Sequence, residues 1–276
     1  MRRRAGRAGK YLGLCCYLVF LGFPLLWLVS VSLKGERELA SIHPRLIPRH
    51  FVWDNYRVAL VDQGLARSAL NSLQTALGAT IIVVLIAVPA AYALTRLRSA
   101  VRTGTTVWIL LSQVFPTILI IIPVFLILKD LHLLNSLGGL TLVYVVWTLP
   151  FALWMVMGYL RNLPAELEEA AAVDGAGRLR IIVSIVMPLL APGVVAAAMF
   201  TFISAWNEFF FALVLLQSPD LSTLPLTLAR FVGSEGKVAL GPLAAGAFLA
   251  TLPGLFVFSL LQRRLTSGLL AGAVKG

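Results

Sequence analysis

The sequence predicts an all-α membrane protein that crosses the bilayer six times. Of its 276 residues, 59% are hydrophobic and 13% are charged, whereas soluble domains average roughly 45–50% and about 25%. Six intervals without Asp, Glu, Lys or Arg, each longer than twenty residues, follow one another along the chain. A helix needs about 20 residues to cross a hydrocarbon core of ~30 Å. A soluble globule and a disordered chain are therefore excluded.

We expect these spans to form one transmembrane domain over residues 1–276. The predicted spans are residues 11–33, 72–95, 105–128, 137–160, 193–216 and 239–261. The longest segment between the charge-free intervals, Lys34–Arg67, has 34 residues, which leaves no room for a soluble domain. Its aromatic residues favour a short amphipathic stretch on the membrane surface: Phe51, Trp53 and Tyr56.

The net charge of +11 is explained by membrane topology. Lys and Arg are not gathered on one motif, so nucleic acid is not an expected partner. With loops assigned alternately, one set holds 14 Lys and Arg and the other set holds 9. The richer set consists of the N-terminus, residues 96–102, residues 161–180 and the C-terminal tail. Basic loops stay in the cytoplasm, so both termini are predicted to be cytoplasmic.

Motifs that carry chemistry are missing from the sequence. It contains no GxxxxGK[ST], HExxH, GxSxG or GxGxxG pattern. His43, His50 and His132 are scattered and have no partners at metal-ligand spacing, so no metal site is expected. Ion-driven transporters place several ionisable groups in their spans, and here Glu208 alone is a candidate. We expect no enzyme activity and an energy source in another protein.

The loop between the fourth and fifth spans, residues 161–192, predicts two short helices. Pro164 suits a first helical turn, and acidic residues near it favour the positive end of the helix dipole: Glu166, Glu168 and Glu169. Gly175 fits the left-handed position after a helix, and Asp174 can cap the next one. The helix carries small residues, which either admit another backbone or simply favour helix: Ala170, Ala171, Ala172 and Ala176.

The spacing in this loop resembles the EAA motif of the integral-membrane subunits of binding-protein-dependent ABC importers. That motif is Glu-Ala-Ala, three residues, Gly, nine residues, Ile, one residue and Leu-Pro. Here the pattern reads Glu169-Ala170-Ala171, Gly175, Ile185 and Met187-Pro188. Met187 replaces Leu, an apolar exchange of similar volume. The extended form of the motif is completed by Asp174 and Ala176.

Three further stretches are similar to the carbohydrate-uptake branch of that family, the maltose-type sugar permeases. They are HFVWDNYRVAL with the following Asn71-Ser72, AWNEFFFALVLL, and the terminal QRRLTSGLLAGAVKG. The resemblance therefore covers nearly the whole chain. It implies a multi-pass sugar permease of the bacterial cytoplasmic (inner) membrane.

The resemblance also implies partners. They are a second homologous permease subunit, two cytoplasmic ATPase subunits and an extracytoplasmic sugar-binding protein. ATP and Mg would bind the ATPase, and this chain would hold no cofactor. The implied ATPase-coupling residues are Glu168, Glu169, Ala170, Ala171, Asp174, Gly175 and Ala176. The tail from Gly268 resembles family ends that extend between the ATPase subunits.

Trp206, Asn207 and Glu208 are candidates for lining the solute path. If the fifth span covers residues 193–216, Glu208 lies about 12 Å from its outer end, where an ionised group facing lipid is costly. A carboxylate beside an amide and an indole suits a sugar surface. Two alternatives stay open. The span can begin near Ile181 and leave Glu208 at the outer mouth, or Glu208 can make a purely structural bond.

Other functional classes share this topology. A half of a secondary transporter would couple to protons or sodium, and a scaffold or receptor anchor would move no solute. Within ABC importers, the residues do not choose between a sugar, a polyol and a phosphorylated cargo such as glycerol phosphate.

Overall fold

The computed structural model describes residues 2–96, 101–231 and 238–273, and these residues are mostly helical. The α-helices within these ranges are α1 Arg2–Ser32, α2 Glu36–Leu39, α3 Asp54–Arg57, α4 Leu65–Arg96, α5 Val101–Val114, α6 Thr117–Asp130, α7 Leu137–Arg161, α8 Glu166–Val173, α9 Arg178–Ile181, α10 Met187–Trp206, α11 Phe210–Leu215, α12 Leu224–Ala229 and α13 Leu240–Ala273. Turns of π-helix cover Val58–Asp62 and Ile182–Val186, and a 3-10 turn covers Pro219–Leu221. The predicted all-α class is confirmed.

Five continuous stretches within the described ranges are long and apolar enough to cross a membrane. They are Gly13–Ser32, Leu65–Arg96, Leu137–Arg161, Arg178–Trp206 and Leu240–Gln262. The pair α5 and α6 is a sixth candidate, with a bend of 104° between its two helices. The chain is thus a polytopic helical membrane protein.

The third predicted span, residues 105–128, is not one straight helix. It contains the break between α5 and α6, where Pro116 has an extended backbone with φ −62° and ψ 126°. Proline lacks an N–H group and disfavours helical conformation in the residue before it. The helix therefore stops at Val114 and starts again at Thr117.

The fifth predicted span, residues 193–216, has different bounds in the structure. The helix begins at Arg178, passes through the π-turn Ile182–Val186 and ends at Trp206. A π-turn accommodates an extra residue inside a helix, and this one lies directly before Met187 and Pro188, where proline has no N–H group to donate to the preceding turn. The fifth span thus begins well before residue 193, close to the alternative start near Ile181.

The C-terminal tail also differs from its expected extended path. The helix α13 continues to Ala273, and residues 274–276 lie outside the described residues. The predicted contact of this tail with ATPase subunits stays a prediction.

The chain divides into two compact units, and the prediction of a single domain stays a prediction. The first unit comprises Met1–Arg67 and Thr227–Pro253. Within it, the Asn55 side-chain amide donates to the carbonyls of Ser32 and Lys34, each at 2.9 Å. The Tyr56 hydroxyl and the Ser32 hydroxyl share a hydrogen bond of 2.8 Å. These bonds fasten the segment around α3 to the end of α1.

The second unit comprises Ser68–Leu226 and Gly254–Gly276. Its core lies where α7 packs against α10. Gly193 of α10 lies so close to Tyr159 of α7 that an added Cβ would come within 2.5 Å of the ring. Three large side chains distributed along α7 are fully buried: Leu140, Tyr144 and Met157. This unit carries both sets of candidate functional residues.

Candidate functional site

The short helix α8 occupies the position that the sequence predicts for the first helix of the 161–192 loop. It begins after Ala165, whose carbonyl accepts from the backbone N–H groups of Glu168 and Glu169. It ends at Val173, and the following Gly175 has φ +82°. The left-handed glycine is therefore confirmed, and its N–H group donates to the carbonyl of Ala172.

The expected capping role of Asp174 is wrong. Asp174 is the C-terminal cap residue of α8, and its backbone N–H donates to the carbonyl of Ala170. The next helix, α9, begins at Arg178 after Gly177, without a side-chain cap bond. An N-cap side chain reaches only the first turn that directly follows it. Gly177 is extended and shifts the start of α9 beyond the reach of Asp174.

The EAA residues form an exposed surface on α8 and the turn after it. The exposed members are Glu169, Ala170, Asp174 and Gly175, and the half-buried members are Ala171 and Ala176. Apolar side chains beside them face outward as well, since Val173 is 88% exposed and Leu179 is 76% exposed. Small residues beside exposed apolar side chains are typical of a surface that another protein covers.

Glu168 points the other way, toward α4. Its carboxylate accepts a hydrogen bond of 2.9 Å from the Tyr92 hydroxyl and one of 2.7 Å from Nε of Arg96. Sequence reasoning missed Tyr92 and Arg96. The available signal was a basic residue at the end of the second predicted span, and spacing alone does not pair it with a residue 72 positions away.

Glu208 is buried and fully engaged by its own chain. Its side chain is 7% exposed and accepts from the Tyr144 hydroxyl at 3.0 Å. It also accepts from the backbone N–H groups of Phe211 at 2.8 Å and Ala212 at 3.1 Å. These N–H groups belong to the first turn of α11, where backbone N–H groups have no carbonyl acceptor within the helix. Glu208 thus caps α11 and fastens it to α7.

The three predicted path residues do not form one surface. Trp206 is buried and stacks on Phe202, with ring centroids 5.8 Å apart. Asn207 is exposed, and its side-chain amide donates to the carbonyl of Ile203 at 2.9 Å. The Glu208 carboxylate, by contrast, is bonded to the Tyr144 hydroxyl and to two backbone N–H groups. Their place in a solute path stays a prediction.

Two asparagines that the site prediction did not include hold the chain after α11. The Asn135 carbonyl oxygen accepts from the backbone N–H groups of Gln217 and Ser218, each at 2.9 Å, and its amide donates to the Ser218 hydroxyl at 2.8 Å. Asn71 donates to the carbonyls of Asp220 and Ser222 at 2.9 and 3.0 Å. The segment from Gln217 to Ser222 is therefore held from two sides.

An apolar cavity of about 440 Å³ lies among α5, α6, α7 and α11. Its lining is hydrophobic apart from the Ser112 hydroxyl and the indoles of Trp108 and Trp147. Ser112 already donates to the carbonyl of Ile109. Sugar sites need several convergent donors and acceptors, so this cavity does not fit a sugar.

Comparison with known proteins places these features in a family. The model of the binding-protein-dependent transport system inner membrane component matches residues 82–270. The putative ABC transporter permease protein ORF1 of Streptomyces antibioticus is 59% identical over 229 residues, which are 83% of this chain and 100% of that protein. The diacetylchitobiose uptake system permease protein DasC of Streptomyces coelicolor is 35% identical over 261 residues, 94% of each chain.

A solved structure shares the fold. It belongs to a bacterial ABC transporter involved in the import of the acidic polysaccharide alginate. One of its chains superposes with a TM-score of 0.79 at 22% identity, over 95% of this chain and 97% of that chain. The resemblance carried by the EAA spacing is confirmed, and the chain belongs to the family of binding-protein-dependent transport system inner membrane components.

Proposed function

We propose that the chain is one permease subunit of an ATP-driven ABC importer for a carbohydrate. Family membership supports the transport role. The relative from Streptomyces coelicolor is named for diacetylchitobiose uptake, and the solved neighbour takes part in alginate import. Both cargoes are carbohydrates, which favours a sugar over glycerol phosphate or another polyol.

The proposal includes the partners that such a subunit requires. A second permease supplies the other half of the pathway, and a binding protein outside the membrane delivers the solute. Two ATPase subunits in the cytoplasm bind ATP and Mg. Both termini of this chain and α8 then lie on the cytoplasmic side.

The observation that carries the proposal is the exposed helix α8 at the end of a spanning helix. An eight-residue helix with small and apolar exposed residues, stopped by Gly175 at φ +82°, is shaped to enter a groove of another protein. When the ATPase subunits close on ATP, they move α8. Because α8 joins α7 and the Arg178–Trp206 helix through short turns, this movement rocks the spans and alternates access to the pathway.

The test begins with affinity purification of this chain from its native membranes together with its bound partners. The recovered complex is reconstituted in liposomes with its binding protein. Uptake of labelled diacetylchitobiose, alginate oligosaccharide and glycerol phosphate is then compared. We expect carbohydrate uptake that needs ATP and survives collapse of the proton and sodium gradients. Uptake that needs a gradient and no ATPase would establish the secondary transporter alternative.

A further inference from the structure

The contact between α4 and α8 is made by polar side chains. Two polar side chains one turn apart on α4, Tyr92 and Arg96, converge on the single carboxylate of Glu168. Tyr92 donates to Oε2, and Arg96 donates to Oε1. Each oxygen of the carboxylate thus has its own donor from the same helix.

Arg96 also reaches a third element. Its Nη2 donates to the backbone carbonyl of Leu163 at 2.8 Å, in the turn that leaves α7. One guanidinium therefore joins the end of α4, the exit of α7 and the first turn of α8. The planar guanidinium fixes the directions of its donors, so it holds these elements in a defined orientation.

The ion pair is shielded from water to a degree that surface pairs are not. The side chains of Arg96 and Glu168 are 16% and 15% exposed, and their atoms are 2.7 Å apart. By contrast, Arg57 and Asp54 form a pair of similar length in which both side chains are more than 60% exposed. Exposed pairs contribute little, whereas removing one member of a shielded pair leaves an uncompensated charge.

The two acidic residues side by side in α8 face different ways. Glu168 is turned into the chain, and Glu169 is exposed next to the EAA alanines. A contact with another protein is open to Glu169, while Glu168 is engaged by α4. Neighbouring glutamates therefore have different roles: Glu168 bonds to α4, and Glu169 is available to another protein.

We propose that Tyr92 and Arg96 are positioning residues that lock α8 to α4 through Glu168, so that a displacement of α8 moves α4 with it. This inference rests on the proposed function, because the displacement comes from an ATPase. It moves Glu168 from the group of residues that contact the ATPase to an internal link. Without the link, α8 still binds its partner but tilts independently of α4.

The test uses the complete reconstituted complex and measures solute molecules moved per ATP hydrolysed. Arg96→Gln and Glu168→Gln should each lower this ratio at least about five-fold, with the ATPase still bound. The double variant should be no worse than either single variant, since both remove the same link. The exchanged pair Arg96→Glu with Glu168→Arg should recover part of the ratio, and Tyr92→Phe should have a smaller effect. Glu166→Gln removes the same charge from an exposed position on α8 and should change nothing.

The link is overturned by a wild-type ratio in both single variants, or by effects that multiply in the double variant. Hydrogen exchange of residues 163–173 in the same complexes gives a second readout. Arg96→Gln should speed exchange there, and unchanged exchange also contradicts the link. A wild-type complex without an ATPase, or without ATP hydrolysis stimulated by the loaded binding protein, would instead refute the proposed function.

Discussion

Gly175 is required by its backbone conformation and not by a close contact with neighbouring atoms. Its φ is +82°, and no atom lies within 4 Å of the position a Cβ would take. A β-branched residue is strained at positive φ, at a cost of about 1–3 kcal/mol. We predict that Gly175→Val lowers solute transport and stimulated ATP hydrolysis together, about tenfold, while insertion into the membrane persists.

Gly177 provides the matched control for that substitution. It also has no atom within 4 Å of a Cβ, but its φ is −69°, which valine adopts without strain. Gly177→Val should keep wild-type transport. Wild-type rates from a well-expressed Gly175→Val complex would show that the turn after α8 does not carry the coupling.

Substitution of Glu208 should lower the stability of the protein. Glu208→Ala leaves the buried N–H groups of Phe211 and Ala212 and the Tyr144 hydroxyl without their acceptor. The free energy of unfolding should fall by about 3 kcal/mol, measured as a lower melting temperature of the purified chain in detergent. Glu208→Gln keeps one acceptor oxygen and should lose less, and Tyr144→Phe should lose about 1 kcal/mol.

The same variants separate the path role from the structural role. If Glu208→Ala complexes assemble and transport with unchanged rate and sugar selectivity, Glu208 has no place in the solute path. Altered selectivity at normal assembly would place it there.

At the scale of elements, the Asn135 clamp should control the segment after α11. Asn135→Ala removes the acceptor for Gln217 and Ser218 and the donor to the Ser218 hydroxyl. We predict faster hydrogen exchange at residues 216–218 and a loss of stability of about 2 kcal/mol. Asn135→Asp keeps the acceptor oxygen and should be close to wild type. Equal exchange in wild type and Asn135→Ala would mean that the clamp does not order this segment.

Charge spacing predicts the bounds of a helix well where the capping residues lie at the ends of the apolar interval. The fourth predicted span, 137–160, coincides with α7 because Ser136 caps its first turn by accepting from the Gly139 N–H and Arg161 ends the apolar run. The break at Pro116 is different. Pro150 lies inside α7 without breaking it, so proline alone does not mark a break. A charge-free interval in the sequence does not record which of its prolines interrupts the helix.

At the scale of the whole molecule, topology is the first open prediction. The asymmetry of 14 to 9 basic residues between alternate loops predicts that both termini lie in the cytoplasm. A reporter fused after Lys129 should report the outer side, and one fused after Arg161 should report the cytoplasm. Reversal of both signals would put α8 on the wrong side of the membrane for an ATPase.

The family could be predicted because its motif lies within one loop. The surroundings of the candidate path residues were harder to predict because they involve residues far apart in the sequence. The EAA residues follow one another within a single loop, so spacing identifies them. Glu208, by contrast, meets Tyr144, 64 residues earlier, and Trp206 meets the aromatic ring of Phe202. Glu208 was chosen for its chemistry in the sequence, but in the fold its carboxylate is already bonded to its own chain.

Cysteine cross-linking can detect the proposed contact between α8 and an ATPase. Cys15 and Cys16 are first replaced by Ser, and Ala172→Cys on the exposed part of α8 then carries a short bifunctional reagent in the whole complex. We predict a covalent product of the permease with the ATPase, whose yield changes when ATP is added. Leu142→Cys, exposed on α7 within a spanning helix, should give no such product. An ATPase that binds the complex yet forms no product with Ala172→Cys would show that α8 does not contact it.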